Sequence, residues 1–234
     1  MVVADLSDYI LKVSKLNVKL QNQILLDNIS FNVKRGTTLA VLGPNGAGKS
    51  ILFRTLLNMV PYSGLVEWNG KVKVGYVPQY VSVSDMPMSV KEFLSIGNGN
   101  ADPERSLELV RLKDKGVLNK RLGVVSGGQL RRVLIAWALN DNPNVLLLDE
   151  PTTGIDMDSE EPIYLMLNEI KKTEKITILL ITHNIHIVEE YTDDLLALNK
   201  CVTFCGKSSE IAKADTQKMI YGEPMCVETL EGGT

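Results

Sequence analysis

Three clusters of residues in this sequence have the types and spacing to act on phosphate. Gly43-Pro44-Asn45-Gly46-Ala47-Gly48-Lys49-Ser50 satisfies the P-loop pattern of glycines, lysine and hydroxyl. The glycines let successive backbone N–H groups turn inward, Lys49 adds a mobile cation for terminal phosphates, and Ser50 offers a hydroxyl to Mg2+. Val145-Leu146-Leu147-Leu148 runs into two adjacent carboxylates, Asp149 and Glu150. Successive strand residues face opposite sides, so the two acids can take separate jobs. Asp149 suits the magnesium shell, and Glu150 suits orienting or deprotonating an attacking water. Alone the pair reads as a polar turn leaving a strand; the glycine loop upstream gives it chemistry. Ser126-Gly127-Gly128-Gln129 precedes an apolar helical stripe of Leu130, Val133, Leu134, Trp137 and Ala138, which makes a second phosphate-sized nest at a helix N-terminus. One nucleotide does not need two such nests from one chain. The economical arrangement is a head-to-tail pair, in which the serine-glycine segment of one chain closes over the nucleotide of the other. By itself a glycine-rich helix cap is the plainer reading.

These groups need a frame that brings strand ends and helix starts to one side. Thr38 to Leu42 is a continuous apolar run ending at Gly43, and Ile51, Leu52, Thr55, Leu56 and Met59 then keep helical spacing until Pro61. That is strand, glycine loop, helix. Val145 to Leu148 and Ile176 to Ile181 are apolar throughout, as parallel strands covered on both faces must be. Helical patterns precede each, which argues for an α/β core. Ahead of it, Tyr9 to Val33 reads as short antiparallel strands around a polar turn at Gln21 to Gln23. Ser89 to Val124 lacks strand signals, is rich in charge, and carries helical patterns near Val90 to Ile96 and Pro103 to Leu112. It reads as a helical insert. Ser208 to Thr234 is polar and ends in Gly232-Gly233-Thr234, so its end is expected to fray.

The composition narrows the setting. A chain of 234 residues with 44% hydrophobic content can bury one substantial core. A formal net charge of -3 gives no electrostatic reason to bind a polyanion, so nucleic acid is not an expected partner. The basic stretch Arg111 to Arg121 reads as a solvated face of mixed charge. Three cysteines, Cys201, Cys205 and Cys226, are too few for a disulfide framework, and with two histidines they make no convincing metal cluster. Cys201 and Cys205 read as ordinary strand residues in a reduced, cytosolic protein. No apolar run reaches the roughly 18 to 20 residues that span a bilayer, and the first eleven residues lack the basic flank of a signal peptide. A membrane role would have to go through a partner.

The order of these elements resembles the ABC-ATPase family from about Tyr9 to Gly206. Val77-Pro78-Gln79 is similar to that family's Q-loop, Thr153-Gly154-Ile155-Asp156 to its D-loop, and Ile181-Thr182-His183 to its switch histidine. The resemblance implies an α/β fold: a P-loop NTPase core of the RecA-like type, an antiparallel β subdomain and an inserted α-helical signature subdomain. It divides the chain into a core with the β subdomain over residues 1–84 and 140–206, a helical insert over 85–139 and a tail over 207–234. It implies ATP and Mg2+ as cofactors, with Gly43 through Ile51 and Ser126 through Gln129 binding nucleotide. Ser50, Gln79 and Asp149 would hold the metal, and Glu150, His183, Gln79 and Lys49 would act in catalysis.

The implied working form is an ATP-dependent homodimer on the inner, cytoplasmic face of a membrane. It would drive integral permease subunits and, through them, an extracytoplasmic substrate-binding protein. The short connection Asn69 to Gln79, Leu198-Asn199 and Gly206 to Ile211 resemble the bacterial zinc and manganese uptake ATPases. A soluble ABC ATPase for iron–sulfur cluster assembly or another non-transport role is the rival reading. Three departures stand out. Ile51 replaces a second hydroxyl, the position near Leu20 lacks the aromatic that stacks on a base, and Trp137 stands where arginine is common. Weaker α-phosphate contact and loose base recognition are the expected consequences of the first two.

Overall fold

The computed structural model describes residues 8–83, 85–96, 102–155, 157–221 and 226. In chain order, β1 (Tyr9–Leu20) and β2 (Gln23–Lys34) form a hairpin, and β3 (Thr38–Leu42) leads into α1 (Lys49–Leu56). Next come β4 (Ser63–Trp68), β5 (Val74–Val77), α2 (Val90–Leu94), α3 (Pro103–Leu109) and α4 (Gly127–Leu139). The chain continues through β6 (Val145–Asp149), α5 (Met157–Glu174), β7 (Thr177–Ile181) and α6 (Ile185–Tyr191) to β8 (Asp194–Asn199), β9 (Cys201–Lys207) and α7 (Ala214–Tyr221). These elements fall into two units, one from Met1–Val72 with Thr177–Thr234, the other Lys73–Ile176.

In the first unit β1 is the centre of an antiparallel sheet, with Val13 opposite Phe31 of β2 and Val66 of β4. The apolar run of β3 pairs in parallel with β7, Val41 beside Ile181, and with β8, Val41 beside Leu196. All five residues of β3 and all five of β7 are buried, which explains why neither shows polar alternation. β9 closes the edge antiparallel to β8. Ala40, Leu42, Val188, Leu195, Ala197, Ile211 and Ile220 share one buried cluster, so α6 and α7 cover one face of these strands. Each buried valine, leucine or isoleucine there contributes about 1.5 to 3 kcal/mol.

Cys201, at the start of β9, is disulfide-bonded to Cys226, with Cα atoms 5.6 Å apart across 25 residues. This corrects the reading of Cys201 as an ordinary strand residue. Three cysteines cannot build a framework, but one bridge needs only two of them. Cys205 is free and exposed.

In the second unit β5 and β6 are parallel, with Val77 beside Leu148, and all five residues of β6 are buried. The helical segment lies between these strands in sequence. Its helices start on side-chain caps: Ser89 with Glu92 for α2, Asp102 for α3 and Ser126 with Gln129 for α4. Asn140 ties their far ends, donating to the Leu94 carbonyl at 2.7 Å and accepting from Ser106 Oγ at 2.6 Å. Trp137, for which the sequence offers no reason, packs its ring on Phe93 of α2 with centroids 5.5 Å apart. Two helices stop earlier than their apolar spacing predicts. α1 ends at Leu56 and α3 at Leu109, because Asn58 (φ 58°) and Arg111 (φ 56°) turn left-handed just beyond.

Candidate active site

In the first unit the P-loop leaves the carboxyl end of β3. Pro44, Asn45 and Gly46 form its exposed tip, while Ala47 and Lys49 are buried. The Lys49 ammonium donates to the Gly43 carbonyl at 2.8 Å and the Pro44 carbonyl at 3.0 Å, so the lysine braces the loop that it would help to charge. Gly48 is the residue before α1, with φ 97°. A β-carbon there would lie 2.6 Å from Leu26 Cδ2 and 2.9 Å from the Leu25 carbonyl oxygen of β2. Glycine is thus required twice, for backbone sign and for the approach of β2. The β8–β9 turn backs the loop: Lys200 N–H donates to the Ala47 carbonyl at 2.8 Å, and its own carbonyl accepts from Asp27 N–H at 2.7 Å. The start of α1 then presents main-chain amides at Lys49, Ser50 and Ile51 with the helix dipole behind them.

His183 lies two residues past Ile181 in β7, as Gly43 lies two past Val41 in β3, and those strand residues are paired. The parallel register therefore delivers the histidine and the P-loop to the same end of neighbouring strands. His183 is exposed, and the next residue, Asn184, caps α6 through His186 N–H at 3.1 Å. At the hairpin tip Leu20 is exposed. A cleft of about 430 Å³ beside it is lined by Lys19, Ile24, Leu26, Asp27 and Tyr62, among others.

The second unit holds the acidic residues. Gln79 follows β5 by two residues and Glu150 follows Leu148 by two, and the strand pairing of Val77 with Leu148 sets them side by side. Gln79 Nε2 donates to Glu150 Oε2 at 2.5 Å, and Thr153 Oγ1 donates to the same oxygen at 3.0 Å. A carboxylate only accepts, so Gln79 must turn its NH2 toward it. Asp149 is 3% exposed, at the buried end of β6. Glu150 takes φ 46°, a sign that non-glycine residues seldom hold outside a constrained turn. Thr153 N–H closes that turn on the Glu150 carbonyl at 3.1 Å.

Ser126 and Gly127 are exposed at the start of α4. Ser126 Oγ accepts from Gln129 N–H at 3.3 Å, and Gln129 Oε1 accepts from Ser126 N–H at 3.2 Å. A β-carbon at Gly127 would meet the Gly154 carbonyl oxygen at 3.5 Å, so the helix start is close to the turn after Glu150. Asp156 lies outside the described residues. Arg131, which the sequence reading passed over, is 8% exposed on α4 and donates to the carbonyls of Pro78, Gln79 and Thr153. Arg131 stands beside the apolar stripe rather than in it, so spacing alone gives it no signal. Desolvation holds its guanidinium below the ordinary arginine range, with the charge of Asp149 opposing that shift.

A glycine-lysine cradle between a parallel strand and its helix, an acid-ended strand and a serine-glycine helix start define a P-loop nucleotide-binding ATPase. The family model described as ABC transporter matches residues 26–153. The zinc import ATP-binding protein ZnuC 2 of Aliivibrio fischeri is 35% identical over 215 residues, 91% of this chain and 88% of its own. Among solved structures, cbiO1 from Clostridium perfringens, part of the ABC transporter complex cbiONQ, matches with a TM-score of 0.78. It is 31% identical, with 90% of this chain and 93% of that one covered. An inward-facing putative metal-chelate type ABC transporter matches with a TM-score of 0.80 at 26% identity, over 91% and 89% of the two chains. The chain belongs to the ABC transporter family, as a nucleotide-binding, ATP-hydrolysing subunit.

Proposed function

We propose that this chain powers the import of a divalent metal ion, zinc before manganese, through a separate membrane permease. The observation that carries the substrate is its likeness to zinc import ATP-binding proteins across nine-tenths of its length. Among the described residues no helix is long and apolar enough to cross a membrane, so the path for the ion is assigned to a partner. No group of three or more His, Cys, Asp or Glu that could hold a metal ion occurs among the described residues either, so the ion is cargo for the partner's chemistry.

On this reading the P-loop amides and Lys49 bind the β- and γ-phosphates of ATP, and His183 donates to the γ-phosphate as charge develops there. Glu150 orients and deprotonates the attacking water, with its carboxylate held by Gln79 and Thr153. Ser50, Gln79 and Asp149 supply only oxygen donors, the hard set that magnesium takes, and the Gln79 group engaged by Glu150 is its NH2 rather than its carbonyl. Bound Mg2+ would neutralise phosphate charge. Ser126, Gly127 and Gly128 close over the nucleotide of a second copy, so two ATP molecules hold a head-to-tail dimer together and hydrolysis releases it.

Affinity purification from gently solubilised membranes tests this reading. A multi-span permease at one-to-one stoichiometry is expected, with ATPase activity of the reconstituted complex raised by zinc and its binding protein. A soluble scaffold in place of a permease would overturn transport. Stimulation by a substrate other than a divalent ion would overturn the metal assignment alone.

A further inference from the structure

Arg131 is a charged side chain spent wholly on main-chain oxygen. Its Nη1 donates to the Pro78 carbonyl at 3.2 Å, and its Nη2 to the Gln79 carbonyl at 2.5 Å and the Thr153 carbonyl at 3.3 Å. Burying a guanidinium costs free energy unless its donors are met, and here they meet carbonyls of two separate loops. One loop leaves β5 and carries Gln79; the other leaves β6 and carries Thr153. The side chains of these two residues converge on one oxygen, Oε2 of Glu150.

The sequence of contacts is therefore helix, guanidinium, two loop backbones, two side chains, one carboxylate. Arg131 lies five residues beyond Ser126 on the helix whose first turn is capped by Ser126 and Gln129. A helix transmits displacement along its axis as a rigid body, whereas Glu150, at φ 46°, depends on neighbours to hold its turn. We propose that Arg131 is a positioning residue for ATP hydrolysis, fixing the Glu150 carboxylate through Gln79 and Thr153 and tying its orientation to the helix that begins at Ser126. The inference rests on the reading of Glu150 as the group that handles water. It adds a link within one chain: closure on the helix start at Ser126 changes the setting of that chain's own carboxylate. Lysine could reach one or two of the three carbonyls but lacks the planar fork that spans both loops.

The test is steady-state and single-turnover hydrolysis of Mg-ATP by the full chain, with nucleotide binding and melting temperature measured on the same samples. Arg131→Gln is expected to lower kcat about 10- to 100-fold, the range that an ångström of misplacement produces, while KM and nucleotide Kd stay within about threefold. Arg131→Lys should recover part of kcat. Thr153→Val removes the second contact to Glu150 without touching the clamp and should slow wild type by about 3- to 10-fold. In the Arg131→Gln background it should add almost nothing, because both changes act through one carboxylate. Should Arg131→Gln fail to fold, Arg131→Lys combined with Thr153→Val carries the same non-additivity test.

Unchanged kcat in Arg131→Gln, or a rate per bound nucleotide that stays at wild type while only the folded fraction falls, overturns the proposal. So does full additivity with Thr153→Val. Glu150→Gln separates the two layers. If it hydrolyses ATP normally, the assignment of Glu150 fails; if it is inactive while Arg131→Gln is normal, only the role of Arg131 fails.

Discussion

Replacing Gly48 by alanine should damage nucleotide binding far more than folding. The residue has φ 97°, where an L side chain costs about 1 to 2 kcal/mol. The added carbon would also sit 2.6 Å from Leu26 Cδ2 and 2.9 Å from the Leu25 carbonyl. Leu26 is wholly buried and the carbonyl belongs to β2, so neither yields freely, and overpacking of this kind adds about 1 to 3 kcal/mol. The loop can escape by rotating its peptides away from the inward-facing state, whereas the helix behind it cannot. The total, about 2 to 5 kcal/mol, therefore falls on the binding-competent loop and predicts a Kd for Mg-ATP weaker by about 30- to 4,000-fold. Gly46 provides the control: its φ of 79° carries the backbone cost, but nothing lies within 4 Å of a β-carbon there. Gly46→Ala should lose only about 5- to 25-fold. Equilibrium titration with a fluorescent ATP analogue, beside thermal melting, reads both effects. The reasoning fails if Gly48→Ala binds within threefold of wild type, or if Gly46→Ala is hit as hard.

Glu150→Gln keeps a side chain that can accept from Gln79 and Thr153 but removes the base, so turnover should drop about 10²- to 10⁴-fold with ATP affinity retained; parallel loss of binding would contradict this. Ser126→Asp should preserve the start of α4, since a carboxylate also caps helices, yet abolish ATP-dependent dimerisation by setting an anion against phosphate. Equal dimerisation of that variant and wild type in light scattering would refute the contact. Reduction of the Cys201–Cys226 bond should lower the melting temperature by about 4 to 16 °C, from a stabilisation of roughly 2 to 4 kcal/mol. Maleimide should label Cys205 before reduction and Cys201 only after it; early labelling of Cys201 would show the pair to stand as thiols.

The parts of this molecule visible in its sequence are those whose physics is local. Thr38–Leu42 and Thr177–Ile181 announce themselves because strands covered on both faces have no polar alternation. The P-loop is legible because its lysine, hydroxyl and glycines stand at adjacent positions in one pattern. Less visible are contacts that the fold creates between distant segments. Arg131 reaches Gln79 across 52 residues and Thr153 across 22, and no spacing rule connects an arginine to carbonyl oxygens that every residue carries. The bridge from Cys201 to Cys226 spans 25 residues, beyond the reach of any local pattern. Trp137 looks anomalous only until Phe93 is placed beside it. Helix ends fail for a different reason: the apolar stripe of α1 runs on to Met59, but Asn58 leaves the right-handed region before the stripe is used up.

On the proposed reading, one hydroxyl at the start of α4 serves both a structural and a functional role. Ser126 Oγ accepts the Gln129 N–H, which uses one of its two lone pairs and none of its donor capacity. Its O–H proton therefore remains to be given to a phosphate oxygen. Gln129 divides itself similarly, spending Oε1 on Ser126 N–H and keeping its NH2. The reciprocal cap also fixes the serine rotamer, so a phosphate arriving from a second copy meets an oriented donor and loses less entropy on binding. Gly127 and Gly128 add first-turn amides with no β-carbon to hold the phosphate off. A cap that needed the serine proton, or a glutamine that filled its cap with NH2, would leave this helix start unable to do both. On that reading the capping geometry leaves the second nest available to a partner's nucleotide without loosening the helix from which Arg131 reaches the loops that hold Glu150.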